Sequence, residues 1–277
     1  MYIRHAIRGF TLLELIVVIA IIGVLSVLIL PSFKNALARA NDTKLKQFAI
    51  TLDKKNDIVN KYDFEEGGGL VSKDSNIYSQ NNLTLPGSGV TFSTNTYSSS
   101  SQYSLLFTAP NIEVVSENYL PKLDNSSFSI SVWVKRTAGF GAVESVIFYK
   151  GNYSPGNEVF LEFWNDVLCF HFVPAGSNSN CMTSTFLDTN WHHIAVSFDL
   201  STNISKMYLD SKLVSSKTHS TNSLITSNNY PLKLGYSGGG DFRGNIDDLR
   251  FFDTAILSGD VARLYAEGMG SGRFANK

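Results

Sequence analysis

The chain has 277 residues, with 23 Lys and Arg set against 24 Asp and Glu for a net charge of −1. That balance argues against a nucleic-acid partner and against a strongly acidic substrate, both of which call for a basic surplus. The length leaves room for a membrane segment plus one domain of about 200 residues.

Residues 9–30, GFTLLELIVVIAIIGVLSVLIL, are apolar apart from Glu14. A helix needs about 20 such residues to cross a bilayer, whereas the apolar part of a secretory signal runs to about 7–15. Membrane insertion is therefore expected over 10–30. Arg4, His5 and Arg8 all precede Gly9, so the positive-inside bias keeps the N-terminus cytoplasmic and sends the chain beyond Leu30 across the membrane. A carboxylate inside a spanning helix costs roughly 2.5–3.5 kcal/mol, and no Lys, Arg or His lies within the span to offset it. If the chain is cut after Gly9, Phe10 gains an α-amine, and the natural partner of Glu14 is that amine on a neighbouring copy. A plain signal peptide is the competing account, since Ala38-Arg39-Ala40 offers an A-x-A cleavage site.

Pro31 opens a second pattern. Phe33, Leu37, Leu45, Phe48 and Leu52 recur at helical spacing among Lys34, Arg39, Lys44 and Lys46, which predicts an amphipathic helix over 31–56 continuing the span. The periodicity fails around LDKKND.

Beyond that junction the signals are those of strands: IVNKYDF, SFSISVWVKR, SVIFYKG, VFLEFW, VLCFHFV, WHHIAVSFD, KMYLDSKLV, PLKLGY and NIDDLRFF. Each is short, alternating or aromatic-rich, and bounded by Gly, Asn, Ser or Pro, which predicts a mainly β chain with an antiparallel sandwich over 57–268. Only SGDVARLYAEG, with Val261, Leu264 and Tyr265 on one face, has helical spacing there. Residues 269–277 read as a tail.

Cys169 and Cys181 lie symmetrically about the polar segment PAGSN, as across a hairpin, and a cross-strand disulfide is expected in an oxidising compartment. No CxxC or paired Cys/His spacing suggests zinc. Glu158 and Glu162 share a strand face without a third carboxylate and read as solvated rim residues. His192 and His193, being adjacent, point to opposite faces and cannot converge on one metal. Trp133, Trp164 and Trp191 read as core, with Trp164 partly exposed beside a turn.

The leader ending in Gly9, the run Phe10-Thr11-Leu12-Leu13-Glu14 and the apolar stretch closed by Pro31 resemble a type IV prepilin. The resemblance implies that a prepilin peptidase cuts after Gly9 and methylates Phe10, removing the leader 1–9. It also implies that Glu14 registers the subunit in a filament and that Pro31 falls where the helix kinks.

YDFEEGGG, SFSISVWVKR, WHHIAVSFD, MYLDSKLV and FRGNIDDLRFF, in that order, resemble the laminin-G-like, concanavalin-A-like jelly roll. Ser211 departs from it where glycine usually follows the turn aspartate, and a looser hairpin is expected there. The resemblance implies a calcium ion on Asp247 and the first strand near Phe64 to Glu66, with Glu65 the candidate acid. It also implies a carbohydrate or protein ligand, for which Tyr153 and Phe242 in the loops GNYSPGNE and YSGGGDF are candidate contacts.

The expected function is a minor type IV pilin-like surface subunit displaying an adhesive domain, made as an inner-membrane precursor. The alternative is a pseudopilin of a secretion or DNA-uptake machine. A membrane-tethered glycan hydrolase is the weakest candidate, because the E-x-D-x-x-E carboxylate array of such hydrolases is missing; no enzymatic activity is expected.

Overall fold

The computed structural model describes residues 12–22, 58–76, 78–119, 126–137, 144–151, 158–173, 179–181, 188–219, 230–235 and 240–270. Gly9, Phe10, Pro31, the expected amphipathic helix over 31–56 and Tyr153 lie outside them. Residues 12–22 form a helix, α1, with every residue exposed, Glu14 among them. No helix among the described residues is long and apolar enough to cross a membrane.

Sixteen strands follow among the described residues: β1 (Ile58–Tyr62), β2 (Val71–Ser72), β3 (Leu83–Thr84), β4 (Val90–Ser93), β5 (Ser104–Phe107), β6 (Val114–Tyr119), β7 (Phe128–Arg136), β8 (Glu144–Lys150), β9 (Glu158–Trp164), β10 (Val167–Val173), β11 (Ser179–Cys181), β12 (Trp191–Asp199), β13 (Ile204–Leu209), β14 (Lys212–Thr218), β15 (Pro231–Leu234) and β16 (Gly244–Phe252). Helix α2 (Ser258–Met269) comes last. The strands form two antiparallel sheets. One runs β14-β13-β12-β7-β16-β5-β4, with β1 also paired to β16; the other runs β11-β10-β9-β8-β15-β6-β3-β2.

Alternation decides what lies between the sheets. Phe128, Ile130, Val132 and Val134 of β7 meet Val159, Leu161 and Phe163 of β9 and Leu168 and Phe170 of β10 in one buried cluster. The period-2 geometry of a strand sends the intervening residues to the opposite faces.

On the outer face of the first sheet α2 supplies the cover. Val261 and Leu264 are buried with Ala195, Tyr208 and Phe252, and Trp133 lies between the rings of Tyr97 and Tyr265 at 4.6 and 5.6 Å. Gly268 permits this approach, because a Cβ there would come within 2.5 Å of the Trp133 ring. The helical spacing of Val261 and Leu264 therefore has its counterpart on the sheet. Burying two such side chains contributes roughly 1.5–3 kcal/mol each.

The β13–β14 hairpin corrects one expectation. It is a tight two-residue turn, with Leu209 paired to Lys212 and both Asp210 and Ser211 at positive φ, 48° and 68°. Those dihedrals follow the right-handed twist of the flanking strands, so Ser211 accepts a strained conformation instead of loosening the loop.

Candidate functional site

A concentration of charge forms where β16 changes partners. Its first half, Gly244 to Ile246, pairs with β5, whereas Leu249 to Phe252 pair with β1. Between them the register with β7 shifts, and Asp248 takes a φ of 44°. Such a bulge re-aims side chains and opens the ladder, and here it leaves a notch between β5 and β1. A cavity of about 130 Å³ fills the notch, and five carboxylates, Asp63, Glu65, Asp247, Asp248 and Glu267, line it with only Lys61 and Arg250 as cations.

The two adjacent aspartates have different environments. Asp248 receives a bidentate pair of hydrogen bonds from Arg250, 2.7 Å each, from Nε and Nη2. Burial works to raise the Asp248 carboxyl, but Arg250 outweighs it and holds the group below the usual carboxylate range. Arg250 also reaches Glu267 of α2 at 3.3 Å. Among the described residues no such cation pairs with Asp247. Burial, with the charge of Asp248 beside it, pushes Asp247 up to about 9. Its Oδ1 accepts the Asp248 N–H, at 2.8 Å.

Its other oxygen meets Glu65 through a serine. Ser101 Oγ lies 3.0 Å from Asp247 Oδ2, 2.9 Å from Glu65 Oε1 and 3.1 Å from the Tyr103 carbonyl. The Ser101 hydroxyl thus bridges two acidic side chains and a backbone carbonyl. The Gln102 N–H holds both Glu65 oxygens at 3.0 Å. A hard cation that takes six to eight oxygens suits this set of two carboxylates, a hydroxyl and a carbonyl, completed by water. Asp247 and Glu65, the acids expected to hold calcium, are therefore brought together. Ser101, in the featureless run SSSSQ, carried no sequence signal.

The outward face of the second sheet holds a second group. Glu158 and Glu162 were expected to be solvated and are not: they are 9 % and 1 % exposed. Burial raises the Glu158 carboxyl, with Tyr149 and His171 opposing. Glu162 Oε1 lies 2.8 Å from His171 Nε2, and the His171 ring stacks on Phe160 at 4.2 Å. Cys169 and Cys181, directly paired between β10 and β11, are joined in a disulfide. Trp164, at the end of β9, is 45 % exposed.

Phe242 is also corrected. It is 1 % exposed and packs edge-on against Phe107 at 5.8 Å, so it is core and cannot touch a ligand. His192 and His193 point apart. His192 pairs with Asp210 at 2.7 Å and Asp188 at 3.3 Å, while His193 Nε2 lies 2.8 Å from Ser131 Oγ in the buried layer under Trp133.

Known proteins resemble both halves of the chain. The model of a laminin G family described as the concanavalin A-like lectin/glucanases superfamily matches residues 110–262. The prokaryotic N-terminal methylation motif matches residues 4–30. The type IV wide pilus major component PilA4 of Thermus thermophilus is 37 % identical over 78 residues, 28 % of this chain and 50 % of that protein. The chain thus spans about half the length of the curated relative it matches. Among solved structures, the binding domain of Paraclostridial Mosquitocidal Protein 1 superposes with a TM-score of 0.61 at 16 % identity, over 76 % of this chain and 52 % of that one. Domain 4 of AbnA, an extracellular arabinanase from Geobacillus stearothermophilus solved with arabinotriose, gives 0.60 at 19 % over 76 % and 98 %. The ligand-binding domain of botulinum neurotoxin serotype D, solved with N-acetylneuraminic acid, gives 0.61 at 13 % over 76 % and 50 %. At these identities the structural likeness shows the fold.

Proposed function

Because the chain belongs to the concanavalin A-like lectin/glucanase superfamily and opens with a prokaryotic methylation motif, we propose that it is a minor type IV pilin-like subunit displaying a binding domain on a surface filament. The observation that carries this is the union of the two matches in one chain. The motif occupies the apolar N-terminus, and the sandwich begins only after the junction near residue 57. In this account a prepilin peptidase removes residues 1–9, residues 10–30 hold the precursor in the inner membrane as a single span, and the released amine of Phe10 meets Glu14 of another pilin subunit during assembly.

The domain binds and does not turn over its ligand. Sugar-like ligands are the first class to test, since two of the similar domains are described with bound sugars. The notch holding Asp247 and Glu65 serves as a calcium site that ties β16 to the loop after β1. Its role is to fix the rim, and the ion's charge offsets the surplus of carboxylates there. A glycan and matrix-protein array probed with the purified chain, followed by a hydrolysis assay on any hit, tests the proposal. Saturable binding without product is expected; turnover of the bound glycan would replace the binding module by an enzyme.

A further inference from the structure

We propose that Cys169, Cys181 and His171 form a zinc-type metal site when the disulfide is reduced, with Glu162 as the positioning residue. The group lies on a different face from the rim and is independent of the ligand-binding function.

The strand register builds the group. Glu162 of β9, Cys169 of β10 and Cys181 of β11 are successive cross-strand partners, and His171 is two residues beyond Cys169 on the same face. One ligand atom from each of Cys169, His171 and Cys181 lies within 4.8 Å of the other two. Donors on one zinc ion sit roughly 3–4 Å apart, given Zn–S of about 2.3 Å and Zn–N of about 2.0–2.1 Å, so side-chain rotation closes the difference.

A second observation points to a cation here. Glu162 is 1 % exposed, yet its Oε2 has no hydrogen-bond partner among the described residues. Leaving a charged oxygen buried and unpaired is costly unless a positive charge stands near. Its Oε1 lies 2.8 Å from His171 Nε2, an ion-pair contact without hydrogen-bond geometry, so the buried Nε2 also lacks a hydrogen-bond partner among the described residues. A carboxylate set beside a ligand histidine is the usual outer-shell neighbour in a zinc site.

Two thiolates and an imidazole select zinc or cobalt over calcium, so this site and the oxygen-only rim do not compete for one ion. In the reduction a dithiol gives two electrons and two protons, becoming a disulfide itself, and the Cys169–Cys181 bond opens to two thiols. Metal binding then releases both thiol protons to solvent. The metal replaces the covalent link between β10 and β11. That link matters to the sandwich edge, because Asn180 of β11 reaches across to Ser205 of β13 at 2.9 Å and to Ser215 of β14 at 2.5 Å.

The test uses the full chain in detergent micelles, reduced with a dithiol, desalted without air and titrated with cobalt(II). One equivalent should bind with a thiolate-to-cobalt charge-transfer band and tetrahedral visible bands, and zinc should displace it. The oxidised chain should give neither band. His171→Ala and Glu162→Gln should each weaken binding about 10–100-fold. Far-ultraviolet circular dichroism is recorded throughout. If reduction unfolds the domain, metal should restore the β signal. Absence of the charge-transfer band in the reduced chain, folded or not, overturns the proposal, as does a band unchanged in His171→Ala.

Discussion

Asp247 on β16 and Glu65 just beyond β1 meet at one hydroxyl, that of Ser101, at 3.0 and 2.9 Å. The meeting is set by the bulge at Asp248, which turns one aspartate toward Arg250 and leaves its neighbour facing the notch. Two acids side by side in the chain thereby take different environments: Asp248 is paired with Arg250, whereas Asp247 meets only the Asp248 N–H and the Ser101 hydroxyl among the described residues.

An ion bound only by the folded chain stabilises it in proportion to the logarithm of free ion once bound sites saturate. The melting temperature of the chain should rise with calcium relative to chelator, and Asp247→Ala should abolish the rise. Glu65→Gln should reduce it. Identical melting of the wild type in calcium and chelator would remove the calcium site.

His193 supplies a pH test. Burial lowers it to about 4, against about 6.5 in an unfolded chain. The folded state therefore refuses a proton that the unfolded state accepts, and stability falls as pH drops below 6.5, with the loss complete below about 4. A shift of that size corresponds to about 3 kcal/mol. His219, also lowered to about 4 by burial, acts in the same window. His193→Gln should consequently flatten the decline of unfolding free energy between pH 6.5 and 4 without removing it. Denaturant midpoints at several pH values measure this, and an unchanged slope would count against a neutral buried His193.

Ser211 tests the hairpin. A non-glycine residue in the left-handed region costs roughly 1–2 kcal/mol, and Ser211 sits there at φ 68°. Ser211→Gly should raise stability by about 1 kcal/mol after allowance for the greater freedom of glycine in the unfolded chain. Equilibrium denaturation reads it directly; destabilisation would mean that the serine side chain contributes to the turn.

Glu14 tests the assembly role. Glu14→Ala removes a charge that costs roughly 2.5–3.5 kcal/mol to insert, so membrane insertion should persist while incorporation into filaments falls. Normal incorporation would take away the reason for a carboxylate in that run.

Much of the sandwich is legible in the sequence. WHHIAVSFD coincides with β12, and SFSISVWVKR, VFLEFW and VLCFHFV with β7, β9 and β10, because long β-branched and aromatic alternation is a local signal. The strands from β2 to β6 are not legible. Val71–Ser72 and Leu83–Thr84 are two residues each and owe their extended form to distant partners, as β-propensity commonly does. The acids at the rim follow from family resemblance, but Ser101 between them comes from a polar loop without pattern. The burial of Glu158, Glu162 and Phe242 is equally silent, since alternation says which residues share a face and not what covers that face. For the second group, the search for CxxC or paired Cys/His spacing passes over Cys169-Phe170-His171, whose Cys-x-His spacing puts both side chains on one side of a strand.

Mass spectrometry of the N-terminal peptide from sheared surface filaments reads out directly whether a processed pilin-like subunit carries its binding domain into a filament. This chain should be present there and begin at N-methylated Phe10. An N-terminus after Ala40, or a chain found only in the membrane fraction with residues 1–9 still attached, would contradict that role.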